Sequence, residues 1–101
     1  MNVHVTNIYG FSPTSVVLIS QHEVRNIARN LGFNELAVYI YDSSNEPSNE
    51  LSSRYDGIIA RVSPGDVVFF QSPTWNGVDW DNGLVDKLKA YGCRVVMFIQ
   101  D

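Results

Sequence analysis

Two apolar runs, Val67-Val68-Phe69-Phe70 and Val95-Val96-Met97-Phe98-Ile99, contain no polar residue. A strand wetted on one face alternates apolar and polar side chains, whereas an unbroken run asks for cover on both faces. Two further segments, Val3 to Asn7 and Leu36 to Ile40, read as strands from their β-branched content and the glycine or turn residues that follow. Between the four lie stretches with apolar residues at helical spacing. The chain therefore reads strand, helix, strand, helix, strand, helix, strand. That alternation specifies a parallel sheet joined by right-handed crossovers and covered by helices.

The helical faces can be named. A first helix starts near Thr14 or Ser15, after Pro13, turns Val17, Val24, Ile27, Ala28 and Leu31 inward, and ends at Gly32. Residues Asp42 to Asn49 are a loop by composition. A second helix begins around Glu50 with Leu51, Tyr55, Ile58, Ile59 and Val62 on one side. Gly57 lies inside it, at a cost of about 1 kcal/mol relative to alanine, which close packing against a neighbour or frayed geometry would explain. Ser63-Pro64-Gly65-Asp66 is a turn, and Asp66 to Phe70 the third strand. A third helix spans about Asp81 to Tyr91, with Leu84, Val85, Leu88 and Tyr91 inward, and Gly92 closes it. Arg94 to Ile99 is the fourth strand. The expected fold is α/β, a Rossmann-like three-layer α/β/α sandwich with a four-stranded parallel sheet. Order 2-1-3-4 is favoured because the first strand carries polar His4, Thr6 and Asn7; order 3-2-1-4 is the alternative. In the favoured order the loops Ile8 to Thr14 and Ser72 to Asp79 face each other across one cleft, where ligands of open α/β sheets bind.

Composition removes several classes of function. Seven Lys and Arg against eleven Asp and Glu give a net charge of −4, with no basic block, which argues against nucleic acid as a partner. No apolar run approaches the roughly 18 residues of a membrane span, and no signal peptide follows Met1. A single cysteine, Cys93, suits a reducing compartment, so the expected location is cytoplasmic. At a strand entrance, opposite the cleft, it reads as inert filler. The chain stops at Gln100-Asp101, at the carboxyl edge of the fourth strand, and reads as the front of a longer protein; an authentically small domain is the alternative.

The segment Gln71-Ser72-Pro73-Thr74-Trp75-Asn76-Gly77 leaves the carboxyl end of the third strand. An indole there offers a flat apolar face to sugars or bases, flanked by the donors and acceptors of Ser72, Thr74 and Asn76. A loop tryptophan tucked against a neighbouring helix is the competing reading. Catalytic fingerprints are missing. Tyr9-Gly10-Phe11-Ser12-Pro13-Thr14 lacks G-x-G-x-x-G, and Pro13 removes an amide that a phosphate loop of the flavodoxin kind would use. Asp79-Trp80-Asp81 spells D-x-D, but both carboxylates fall at a helix N-terminus, where capping and the helix dipole outweigh a metal reading. His22 is placed on the solvent side of the first helix, and His4 reads as a satisfied core histidine.

The blocks Thr6-Asn7-Ile8-Tyr9-Gly10, Leu31-Gly32-Phe33-Asn34-Glu35-Leu36, Glu50-Leu51-Ser52-Ser53-Arg54, Asp56-Gly57-Ile58-Ile59-Ala60, Gly65-Asp66-Val67-Val68-Phe69-Phe70-Gln71-Ser72-Pro73-Thr74-Trp75-Asn76 and Leu88-Lys89-Ala90-Tyr91 occur in this order. Together they resemble the N-terminal domain of bacterial glucosyltransferases that extend sugars on serine-rich repeat adhesins, a group also labelled galactofuranosyltransferase-like. The resemblance covers nearly the whole chain, and Phe70 to Asn76 is its most specific part. It implies a GT-B enzyme with this chain as the N-terminal Rossmann-like domain (residues 1–101). The reaction implied is transfer of glucose from UDP-glucose to N-acetylglucosamine on serine or threonine. It also implies no metal or other cofactor, a glycosylated adhesin polypeptide as acceptor, a donor site on an absent C-terminal domain, and a homo-oligomer. By position, Asn7, Gly10 and Ser12, then Ser72, Pro73, Thr74, Trp75 and Asn76, and finally Asp101, would line the acceptor side of the cleft. The family resembled tends to carry His-Asp where this chain has Gln100-Asp101, a departure that weakens the implied activity. A non-catalytic sugar-binding or oligomerisation module of flavodoxin-like fold is the alternative function.

Overall fold

A computed structural model describes residues 1–9, 26, 29–72 and 74–99. Six elements follow along them: β1 (Val3–Tyr9), β2 (Asn34–Tyr39), α1 (Ser48–Ile58), β3 (Val67–Ser72), α2 (Val78–Ala90) and β4 (Arg94–Ile99). The strands form one parallel sheet in the order β2-β1-β3-β4. The favoured topology is therefore the observed one, and 3-2-1-4 is excluded. Asn26, Arg29 and Asn30 are helical; most of the helix expected before Gly32, with its face of Val17, Val24, Ile27 and Ala28 and with His22, lies outside the described residues.

Both described helices pack on one face of the sheet. There Ile8, Leu36, Val38, Val68 and Phe70 meet Tyr55, Ile59, Trp80, Leu84 and Leu88 in one core. Strand alternation turns the neighbouring residues Val5, Asn7, Phe69 and Gln71 to the opposite face, where Phe69 lies against Phe33 and Phe98 at 5.8 and 5.6 Å between ring centroids. The inward residues of α2 expected from spacing, Leu84, Val85 and Leu88, are buried. Tyr91 is not. It caps the helix and is half exposed, because it lies past the last full turn. Leu31 is likewise exposed, in the turn that Gly32 closes with a left-handed φ of 82°.

β4 departs from the sequence reading. Its apolar run matches that of β3, yet Val96, Met97, Phe98 and Ile99 are 37, 42, 41 and 70% exposed. β4 is the last strand of the sheet, and among the described residues no strand pairs with its outer edge. An apolar run states a need for cover on both faces; at an edge that need goes unmet.

Of the two readings of Gly57, close packing is not the observed one. A Cβ on Gly57 would meet nothing within 4 Å, one residue from the end of α1. On Gly83 it would stand 2.5 Å from the Tyr55 hydroxyl and 3.1 Å from two ring carbons. Gly83 thus lets α2 approach α1, and Tyr55 uses that closeness to donate its hydroxyl to Trp80 O at 2.8 Å.

At the amino edge of the sheet Asp66 binds three donors. Its carboxylate accepts from Asn2 N, Ser63 N and His4 Nε2, each at 2.9 Å. An ionised carboxylate only accepts, so His4 Nε2 carries the proton. These bonds, the two backbone amides foremost, hold Asp66 well below the usual carboxylate range. His4 is a core histidine as expected, though Nδ1 has no partner among the described residues. Cys93 is buried at the same edge and donates to Ser63 O at 3.6 Å; burial raises its pKa, in keeping with inert filler.

Candidate functional site

The carboxyl edge is opened by a divergence of the two central strands. β1 and β3 pair through Val3–Val67, His4–Val68 and Val5–Phe69, although β1 runs on to Tyr9 and β3 to Ser72. Beyond the paired stretch side chains take over. Gln71 N donates to Thr6 Oγ1 at 2.8 Å, and Gln71 Nε2 donates to Thr6 O at 2.5 Å. The strand order reverses direction between β1 and β3, the position at which open α/β sheets bind ligands. Asn7 follows at once. It lies within β1, not in a loop, is fully buried, and neither its amide nitrogen nor its oxygen has a partner among the described residues.

The segment after β3 is short because α2 starts at Val78, three residues earlier than spacing suggested. Ser72 still belongs to β3 and is half-buried; Thr74 is buried; Trp75 is 49% exposed; Asn76 is half-buried. Trp75 has φ 69°, in the left-handed region that side chains rarely occupy. Its neighbours are tied down. Thr74 N donates to Asp81 Oδ2 at 3.1 Å, and Thr74 Oγ1 donates to Asp81 Oδ1. Asn76 uses its side-chain amide as a peptide unit: Nδ2 donates to Tyr39 O at 3.0 Å and Oδ1 accepts from Tyr41 N at 3.1 Å. The loop after β3 is thus fastened both to α2 and to the end of β2.

This corrects the reading of Asp79-Trp80-Asp81. Gly77 is the N-cap of α2, with no side-chain cap bond. Asp81 is buried and turned back to Thr74, whereas Asp79 is exposed. Neither carboxylate caps the helix, although both lie in its first turn, where the dipole favours them.

A cavity of about 360 Å³ lies beside the loop, between Ser43 and Leu51 on one side and Asn76 to Trp80 on the other. Trp80 is buried, and its Nε1 donates to the Tyr41 hydroxyl at 2.9 Å. That hydroxyl donates to Glu46 Oε1 at 2.5 Å, and Arg54 pairs with Glu46 Oε2 at 2.9 Å while lying 3.9 Å over the Tyr41 ring. Burial, helped by the Glu46 carboxylate, raises the Tyr41 phenol. Burial pushes Tyr55 up to about 12. Hydrogen bonds from Arg54 and then Tyr41 lower Glu46, and those from Ser44 lower Asp42.

Of the residues singled out in sequence, the structure brings Ser72, Thr74, Trp75 and Asn76 together and places Asn7 in the buried body of β1. Gly10, Ser12, Pro73 and Asp101 lie outside the described residues, as does most of the loop expected to oppose Trp75. Sequence reasoning missed Gln71 and Asp81 as organisers of this edge. The signals were present: a polar residue ending an apolar strand, and a carboxylate at helical spacing with the apolar Leu84, Val85 and Leu88.

No described helix is long and apolar enough to cross a membrane. The family described as "Glucosyltransferase 3-like, N-terminal domain" matches residues 2–101. The chain is 48% identical over its whole length to Glucosyltransferase 3 of Streptococcus gordonii, covering 30% of that protein. It is 45% identical, again over its whole length, to Glucosyltransferase 3 of Streptococcus parasanguinis, covering 31% of it. The chain thus spans less than a third of these relatives. With the match to the family covering nearly every residue, the chain belongs to the glucosyltransferase 3-like N-terminal domain family.

Proposed function

We propose that this domain forms the acceptor side of a metal-independent GT-B glycosyltransferase that moves glucose from UDP-glucose onto N-acetylglucosamine carried by serine or threonine of a serine-rich adhesin. The donor nucleotide is held by a second domain, and the enzyme works in the cytoplasm as a homo-oligomer. The observation that carries this reading is Trp75, half exposed at the carboxyl end of β3 beside the point where β1 and β3 diverge. An indole in that place, with amide and hydroxyl groups around it, suits the apolar face and ring hydroxyls of a pyranose. Family membership and the names of the two relatives support the same class of activity. Titration with an N-acetylglucosaminyl-serine peptide, followed by tryptophan emission, tests it. A saturable change that disappears in Trp75→Ala is expected; a folded protein with no response counts against the reading.

The exposed apolar edge of β4 favours a second reading, a non-catalytic assembly module. Light scattering separates the two: an oligomer indifferent to sugar supports assembly.

A further inference from the structure

The strained backbone at Trp75 has an identifiable restraint, and it comes from α2. Among the described residues Trp75 is the one non-glycine with a left-handed φ. Such a conformation persists only where the surroundings over-determine it. On its amino side Thr74, fully buried, gives both its amide and its hydroxyl to Asp81. On its carboxyl side Asn76 N approaches Thr74 Oγ1 at 3.4 Å, and the Asn76 side chain is fixed to Tyr39 and Tyr41. Ser72 Oγ adds a long contact to Asp81 Oδ2 at 3.5 Å. Asp81 is itself rigid: it is 6% exposed, one turn before Leu84, and its amide donates to Gly77 O at 3.0 Å.

We infer that Asp81 is a positioning residue. Through Thr74 it holds the Trp75 backbone in the left-handed region, so that the indole stands at the sheet edge already oriented to stack on the apolar face of a pyranose. Resting on the acceptor-side reading above, this assigns the ring-stacking role to Trp75 and the setting of its angle to Asp81. Preorganisation of this kind improves affinity by removing the entropy that ordering the loop on binding would cost. An aspartate is suited to the task because both Thr74 groups are donors and a carboxylate offers two acceptors. A leucine of similar shape offers no acceptor to either, so the latch fails with little change of volume.

The test uses the whole protein labelled with 5-fluorotryptophan. The Trp75 fluorine resonance is assigned by its loss in Trp75→Phe. In Asp81→Leu the Trp75 resonance should shift or broaden while that of Trp80 stays in place, and affinity for N-acetylglucosaminyl-serine should fall about tenfold. Thr74→Ser, which retains the hydroxyl, should behave as the parent. If Asp81→Leu fails to fold, Thr74→Val removes the same hydroxyl bond and is read identically. A Trp75 resonance unmoved in the folded variant overturns the positioning role. A resonance that moves, in a protein whose parent ignores the sugar, supports the latch and overturns the stacking partner. Unchanged affinity despite a moved resonance overturns the link between loop order and binding.

Discussion

Asp66 and Asp81 stand at opposite ends of the segment that carries β3, both buried, and both accept backbone and side-chain donors. Their partners differ. Asp66 gathers Asn2, His4 and Ser63, residues brought together from the start of the chain and the turn after α1. Asp81 gathers Thr74 and, more loosely, Ser72, residues of its own neighbourhood. The first knot closes contacts of long sequence separation and so bears on whether the sheet assembles. The second shapes one loop. Buried carboxylates alike in exposure can thus serve stability at one end of a sheet and geometry at the other.

The largest effect should come from breaking the first knot. Asp66→Ala leaves Asn2 N, Ser63 N and His4 Nε2 without their acceptor, and of these His4 is buried. Urea unfolding should show a lower midpoint than for any loop substitution at the other end, with the slope unchanged. If Asp66→Ala unfolds no more readily than Thr74→Val, the contrast between the two knots is wrong.

Acid sharpens the same contrast. The Asp66 carboxyl is held below its ordinary value of 3.8 in the folded chain, first by the Asn2 and Ser63 amides and then by His4. A depressed carboxylate stabilises the fold fully above that ordinary value, and the contribution is lost as pH falls below it towards the folded value. Unfolding midpoints measured from pH 6 down to pH 2 should therefore decline most steeply below about pH 4. The Asp66→Ala variant should decline less over the same range. A parallel decline in both proteins would remove Asp66 as the source.

At the carboxyl end a steric change should cost less. In Gly83→Ala the new methyl meets the Tyr55 hydroxyl, whose bond to Trp80 O must lengthen or break. A loss of about 1–3 kcal/mol is expected by chemical denaturation, against a change of at most about 1 kcal/mol for Gly57→Ala, where nothing stands nearby. Equal effects would mean that α1 and α2 are free to separate.

Much of this architecture was legible in the residues. Unbroken apolar strands and helical spacing gave a parallel sheet with Leu84, Val85 and Leu88 of α2 correctly turned inward, Tyr91 excepted, and polar β1 pointed to the observed strand order. What escaped was relational. Val95 to Ile99 and Val67 to Phe70 are alike as strings, and only position in the sheet separates an exposed edge from a covered centre. Trp75 and Trp80 are five positions apart and equally apolar, yet one is half exposed and the other is buried with its nitrogen bonded to Tyr41. Asp81 looked like a helix cap because spacing fixes which turn a residue occupies, not which way a loop folds back upon it. Gly57 and Gly83 both sit in helices; which one faces a tyrosine depends on how two helices meet.

The smallest effect is also the most discriminating for the loop. At φ 69° a Cβ is strained and glycine is not. Ordinarily glycine is the less stable choice, because it loses more freedom on folding than alanine does. At Trp75 the order should invert: Trp75→Gly should be more stable than Trp75→Ala by about 0.5–1 kcal/mol, since both lose the same indole contacts and differ only in backbone strain. Paired denaturant curves on the two variants read the difference directly. Should Ala equal or exceed Gly, the loop relaxes once the indole is gone, and the left-handed turn is held by the tryptophan itself instead of by Thr74 and Asp81. Repeating the pair in an Asp81→Leu background then locates the restraint. With the latch broken the loop can relax, so the advantage of glycine should shrink towards zero.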